Sequence, residues 1–337
     1  MHWRTCASII AAMLALAAVL LPAARDEAVR LTCATGPAAP QCPAGSHGVL
    51  LVAKAAVLKD TGSANHDVTF KGVDSSYTQV MAFRTGYKPA YKKAVVWNGA
   101  SNPLELKFED RVDLPIRVWI VCPDRDGNCS KPLTSSRETY LKDFVTNANS
   151  VLNSERVGIR LVPANNILIS DNASTRSGAS DFGKFNSRKC PELLSWATSD
   201  PGNRWLDATI NIFVVSKVDR LGSNGYNCSN GTKKLVVVGA TVTWKTILHE
   251  TGHSLSLIDL PRKDVEWDGD QKENFMRSYS NRRKYFTEAE IFRIWVNDIS
   301  AVVGVSPPQR NCGLSDADGE SERPPCPQLV ERVWPER

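Results

Sequence analysis

His249, Glu250 and His253 stand in the pattern His-Glu-x-x-His, inside the run Trp244-Lys-Thr-Ile-Leu-His-Glu-Thr-Gly-His-Ser-Leu255. A helix advances about 100° per residue, so side chains four apart stack on one face. Both imidazoles can then reach one metal ion, with Glu250 beside the first and within reach of a water held by that ion. Such a set suits hydrolysis: the ion polarises a carbonyl and acidifies the water, and the carboxylate moves the proton. The plainer reading is a buried helix whose histidines satisfy hydrogen bonds. In a chain with five histidines, a chance match is on the order of one in a few hundred. Zinc is the ion expected here.

A catalytic zinc usually takes three protein ligands and leaves a fourth position for water. The other histidines, His2, His47 and His66, all precede the motif. A third ligand on its C-terminal side must therefore be a carboxylate or another oxygen donor. Asp259 follows His253 by six residues. Asp264, Glu266, Asp268 and Asp270 form an acidic stretch that reads as a solvated loop or a Ca2+ site; nothing else in the sequence supports calcium. Glu288 or Glu290 would be a more distant ligand, although Glu290 also fits a helix cap.

The string His249-Glu250-x-x-His253-x-x-Ser256-x-x-Asp259 resembles the signature of the metzincin zinc metallopeptidases, in the snapalysin-like variant that ends in Asp. Asn274-Phe275-Met276 looks like the methionine turn (Met-turn) that this clan carries beneath its zinc, ahead of a C-terminal helix. The resemblance implies Glu250 as general base, His249, His253 and Asp259 as metal ligands and Met276 as the turn residue. It also implies a protein or peptide substrate laid along a sheet edge, for which the strand 234–240 is the candidate. Ser256 stands where the family has glycine, and Tyr279 follows Met276 by three residues, against two in relatives that use a tyrosine. Phe70-x-Gly72-x-Asp74 is read as a turn between strands.

The elements that must position these groups follow from periodicity. Val49–Val52, Asp67–Phe70, Thr78–Phe83 and Ala94–Trp97 are short β-prone runs separated by Gly and Asn. Ile116–Val121, Gly158–Val162, Ala208–Val215 and Lys234–Ala240 read as strands. Ser135-x-x-Glu138 is a capping box opening a helix with Leu141, Phe144, Val145, Ala148, Val151 and Leu152 on one stripe. Residues 170–205 read as a polar loop. Thr287-x-x-Glu290 is a second capping box, before Ile291, Ile294, Trp295 and Ile299. The expected architecture is α/β, an α+β zincin: a twisted mixed sheet with two helices, an active-site helix, a Met-turn and a C-terminal helix, preceded by a small β-rich region. The expected boundaries are a signal peptide over 1–24, a β-rich region or propeptide over 25–108, a catalytic domain over 109–305 and an irregular tail over 306–337.

A net charge of +5 with mixed signs, and no basic block interleaved with aromatics, argues against a nucleic-acid surface. His2 and Arg4, an apolar run from Ala7 to Leu21 and Pro22-Ala23-Ala24 have the layout of an export signal, as an alternative to an uncleaved anchor. The expected location is secreted or periplasmic, with no stable membrane association once the signal is cut. Eight cysteines remain outside that signal: Cys33, Cys42, Cys122, Cys129, Cys190, Cys228, Cys312 and Cys326. In an exported chain an even number implies disulfides, and the sequential pairs 33–42, 122–129, 190–228 and 312–326 close the shortest loops. Two rival functions share these residues: a catalytically silent scaffold that binds a protein or surface, and a zinc amidase acting on cell-wall crosslinks. Oligomeric state leaves no mark on the sequence.

Overall fold

Alternating apolar and polar residues fold most of the described residues between 25 and 110 into strands. The computed structural model describes residues 24–33, 47–52, 57–62, 67–93, 95–121, 137–164, 168–169, 184–199, 205–207, 209–215, 217–218, 225–230, 233–239, 242–257, 259, 273–277, 282–287, 290–291 and 294–295. The chain divides into two compact units: residues 1–82 with 90–109, and residues 83–89 with 110–337. In chain order the first strands are β1 (Arg25–Cys33), β2 (His47–Val52), β3 (Val57–Gly62), β4 (Val68–Val73), β5 (Gln79–Arg84), the short β6 (Tyr87–Lys88), β7 (Ala90–Lys93) and β8 (Leu104–Asp110).

In the first unit β1 pairs antiparallel with β4 and parallel with β8, while β2 and β3 form an antiparallel hairpin in a sheet with β5 and β7. Val29, Leu31, Val49, Leu51, Phe70, Val80, Met81 and Phe108 fill its core. Glu27, 1% exposed, accepts from Arg25 Nε and the Gly99 amide, each at 2.6 Å. Two strands, β1 and β8, lie outside the expected runs, although Val29-Arg-Leu-Thr-Cys33 and Leu104-Glu-Leu-Lys-Phe108 alternate apolar and polar residues as a half-buried strand does. The expected strand at 94–97 does not form over 95–97. Val95 and Trp97 are instead buried by single tethers, Val95 N to Thr78 O and Trp97 Nε1 to Tyr77 O. Gly72 sits at φ +69°, and Asp74 Oδ1 accepts from the Ser76 amide and hydroxyl, so this stretch is a side-chain-closed turn.

The second unit continues with β9 (Val112–Ile120), α1 (Arg137–Ser154), β10 (Ile159–Pro163), β11 (Leu168–Ile169), β12 (Lys184–Phe185), α2 (Cys190–Thr198), β13 (Ile210–Val215), β14 (Lys217–Val218), β15 (Gly225–Asn230), β16 (Lys233–Gly239) and α3 (Trp244–Ser254). Its main sheet runs β10-β9-β13-β16-β15, with β11 also on β9. β9, β10, β13 and β16 are mutually parallel, and β15 is antiparallel at the rim. β13 is buried at all six positions, as a parallel strand covered on both faces must be. One face packs Trp119, Phe213, Val215, Leu235 and Val237 against Leu193, Leu194 and Ala197 of α2. The alternate residues face the other way, and there Asn227 of β15 meets α3 through Glu250 O (3.1 Å) and Ser254 Oγ (2.6 Å). The fold is mixed α/β with strands in the majority.

Two features depart from the expected layout. The stretch 170–205 is not wholly irregular: it holds β12 and α2. Pro191 in the first turn of α2 and the Leu193/Leu194/Ala197 spacing were the available signals. Lys233–Gly239 is interior, with β13 on one side and β15 on the other, so among the described strands Gly225–Asn230 is the outermost on that side. That strand escapes pattern reading because Gly-Tyr-Asn-Cys-Ser-Asn has almost no β-branched residues; its pairing with β16 makes it a strand.

Cys190 and Cys228 form a disulfide that ties α2 to β15 across 38 residues. Cys33 is also disulfide-bonded. Cys42, Cys122, Cys129, Cys312 and Cys326 lie outside the described residues, as do residues 1–23, the tail from 296, the acidic stretch 264–270, Tyr279 and the Ser135 cap. Among the described residues no helix is long and apolar enough to cross a membrane, and a disulfide is compatible with an oxidising compartment. Replacing Cys190 and Cys228 together by Ser is expected to lower unfolding free energy by about 2–4 kcal/mol, measured by urea denaturation.

Candidate metal centre

α3 forms because Trp244, Ile247, Leu248 and Leu255 lie on one stripe, and Ile247 and Leu248 are fully buried. It ends in a Schellman arrangement: the Leu257 amide donates to Gly252 O and the Ser256 amide to His253 O, both at 3.0 Å. Ser256 closes this turn at φ +72°, the left-handed region that glycine favours. The absence of glycine therefore does not prevent the reversal that brings Asp259 back over the helix.

The ring orientations follow from hydrogen bonding. His249 Nδ1 lies 2.7 Å from Phe275 O and His253 Nδ1 lies 2.9 Å from Leu257 O. A carbonyl only accepts, so each Nδ1 carries its hydrogen and each neutral ring keeps its lone pair on Nε2. The two rings are 4.9 Å apart at 78°. Burial first, and the neighbouring His249 second, hold the His253 pKa below the ordinary imidazole value, which keeps it in the ligating neutral form.

Two carboxylates complete the cluster. Asp259 Oδ1 is 3.3 Å from His249 Nε2 and 3.7 Å from His253 Nε2. Donors about 2.0–2.1 Å from a tetrahedral ion stand roughly 3.4 Å apart, so Asp259 Oδ1 stands near ligand spacing from each imidazole. Glu250 Oε1 is 4.0 Å from His249 Nε2, and a His249/Glu250/His253 group lies within 4.8 Å, so this cluster could also hold an ion. Asp259 Oδ1 lies nearer to His249 Nε2 (3.3 Å) than Glu250 Oε1 does (4.0 Å). Asp259 is half-exposed while Glu250 is buried. Among the expected residues, His249, Glu250, His253 and Asp259 come together here. Glu290 does not join them; it caps the helix after Thr287.

Glu250 is held by contact. A Cβ on Gly225 would stand 2.7 Å from both Cγ and Oε1 of Glu250, so the rim strand touches the carboxylate through bare backbone. Burial pushes the Glu250 carboxyl up to about 7, His249 pulling it down, Asp259 pushing it up and Arg283 pulling it down. Beneath the helix, Met276 is fully buried, and a Cβ on Gly252 would stand 2.5 Å from its Sδ. Replacing Gly225 by Ala is expected to displace Glu250 and cut turnover at least tenfold with bound metal retained, read by kcat beside metal analysis.

Arg283, Gly225 and Asn227 belong to this neighbourhood without any sequence signal. Arg283 sits in Asn-Arg-Arg-Lys and reads as solvated, yet it is 5% exposed, its Nε and Nη2 donating to Arg277 O at 3.3 and 3.1 Å. Burial lowers its own pKa, while Glu250 and Asp259 raise it. Because Arg283 lowers the pKa of both Glu250 and His253, Arg283→Met should let both rise. The acid limb of kcat/KM should then move to higher pH, as a pH–rate profile would show.

No protein-family model and no curated protein matches the chain. Among the solved structures that match, one described as a chaperone-substrate complex is similar over 66% of this chain and 33% of that one, at 12% identity and a TM-score of 0.35. A likeness that low carries no argument about fold or function.

Proposed function

We propose that the chain is an exported zinc-dependent endopeptidase of the metzincin kind. The observation that carries this reading is the approach of Asp259 Oδ1 to both His249 Nε2 and His253 Nε2, at 3.3 and 3.7 Å, with a buried Glu250 alongside. A zinc ion held there would polarise a scissile carbonyl and acidify a water toward neutral pH. The carbonyls of Phe275 and Leu257 keep the two imidazoles in the ligating tautomer. Glu250, with a carboxyl pushed up to about 7, takes the water's proton and returns it to the leaving amine. Gly225 keeps its carboxylate from swinging away, and Arg283 biases it toward the charged, proton-accepting form.

The substrate site proposed is the rim strand Gly225–Asn230. Among the described strands it pairs with β16, as the outermost strand of the sheet, and its Gly225 end touches Glu250. An extended peptide added there would pair with backbone and lie past the catalytic carboxylate. Export is supported by the Cys190–Cys228 disulfide and by the apolar N-terminal run. The test is digestion of casein and of an unbiased peptide mixture, with products identified by mass spectrometry. Internal cuts that a chelator stops and zinc restores support the reading. Chelator-insensitive cutting, or no cutting by a zinc-loaded chain, overturns it.

A further inference from the structure

The Phe275 carbonyl orients His249, so whatever fixes that carbonyl governs the ligand. Asn274, 1% exposed, bridges two directions. Its Oδ1 accepts from the Met276 amide at 2.6 Å, and its Nδ2 donates to Glu290 Oε2 at 2.9 Å. The same Glu290 oxygen accepts from the Thr287 amide at 2.7 Å, and the Glu290 amide donates to Thr287 Oγ1 at 3.2 Å. The backbone on either side is tied too, Phe275 N to Tyr285 O at 2.8 Å and Arg277 N to Asn274 O at 3.2 Å.

A capping box asks only that its Glu accept one amide, and it works at an exposed helix start. Glu290 is 4% exposed, and its other oxygen has no hydrogen-bond partner among the described residues. A carboxylate held this deep is costly unless hydrogen bonds compensate it, and those it has come from Asn274 Nδ2 and the Thr287 amide. What they fix is Asn274, and through it the turn that presents Phe275 O to His249. The helix start at 287 and the metal ligand at 249 are thereby joined by one buried carboxylate.

We propose that Glu290 is a positioning residue for the metal ligand His249, acting through Asn274 and the carbonyl of Phe275. This rests on the metal-site reading above. Glu290→Ala and Asn274→Ala each weaken metal binding by about 10- to 100-fold, the range for partners that orient a metal-bound histidine. Glu290→Gln keeps an oxygen acceptor and restores wild-type affinity. Thr287→Ala removes the hydroxyl of the cap but leaves the Asn274–Glu290 bond, so it lowers Tm without lowering affinity.

The experiment is competition titration of Zn2+ and of Co2+ into the full chain and these four variants, with near-UV circular dichroism as the folding check. The visible Co2+ spectrum adds a readout of ligand geometry. Affinity lost in the two Ala variants at position 290 or 274, kept in Glu290→Gln and Thr287→Ala, with an altered Co2+ spectrum, is the expected result. If Glu290→Ala does not fold, Asn274→Ala carries the comparison, since it leaves the cap intact. Wild-type affinity in folded Asn274→Ala overturns the relay alone, as does an equal loss in Thr287→Ala. A wild type that binds neither ion overturns the metal reading and the relay together.

Discussion

Glu250→Gln is expected to lower kcat/KM for peptide cleavage by about 10²- to 10⁴-fold while the chain keeps its metal. The amide matches the carboxylate in shape, so it still fits against Gly225, where a Cβ would come within 2.7 Å of Oε1. It cannot take a proton from water. The loss belongs to the chemical step, so kcat should fall more than KM rises. Metal content should stay near wild type, because Asp259 Oδ1 stands closer to His249 Nε2 (3.3 Å) than Glu250 Oε1 does (4.0 Å) and can complete the set. A variant that loses metal along with activity would make Glu250 a ligand and not the base. In the wild type, activity should fall on the acid side as Glu250 takes up its proton, a group that burial pushes up to about 7.

The second large effect concerns Asp259. Wild-type chain in metal at about 100 times Kd should gain about 2.7 kcal/mol of unfolding free energy. For a unit of roughly 200 residues that is a Tm rise of about 5–10 °C. Asp259→Ala should lose most of this rise at the same metal concentration. Its Tm without added metal should match wild type, because the Asp259 side chain is 51% exposed and an exposed surface position contributes little to stability. Thermal unfolding with and without Zn2+ measures both numbers. An undiminished metal-dependent rise in Asp259→Ala would move the third ligand elsewhere.

What could be read from the residues alone divides by the range of the physics. The site helix is local: the His-Glu-x-x-His spacing and the apolar stripe set its face, and the structure puts both Nε2 atoms on one side. The Thr287–Glu290 cap is equally local, and both reciprocal bonds form. Strands β13 and β16 announce themselves by apolar runs. Strand β15 does not, because a Gly-Asn-Ser segment becomes a strand only when β16 and the Cys190–Cys228 bridge hold it. Its placement also makes the expected strand at 234–240 interior. Arg283 looks solvated in sequence and is buried by the turn that follows Met276, a contact no local pattern encodes. Ser256 shows the reverse limit: sequence marks a residue unsuited to the left-handed turn, and the surrounding hydrogen bonds impose that turn regardless.

On the proposed reading, two imidazoles one helical turn apart and the Asp259 carboxylate grip one divalent ion. X-ray absorption at the zinc edge, on chain loaded with one equivalent of zinc, reads that shell. The expected spectrum shows nitrogen and oxygen donors at about 2.0–2.1 Å with scattering from two imidazole rings, falling to one ring in His253→Ala. A chain that retains no ion, a shell without imidazole, or a shell dominated by sulfur at about 2.3 Å would contradict it.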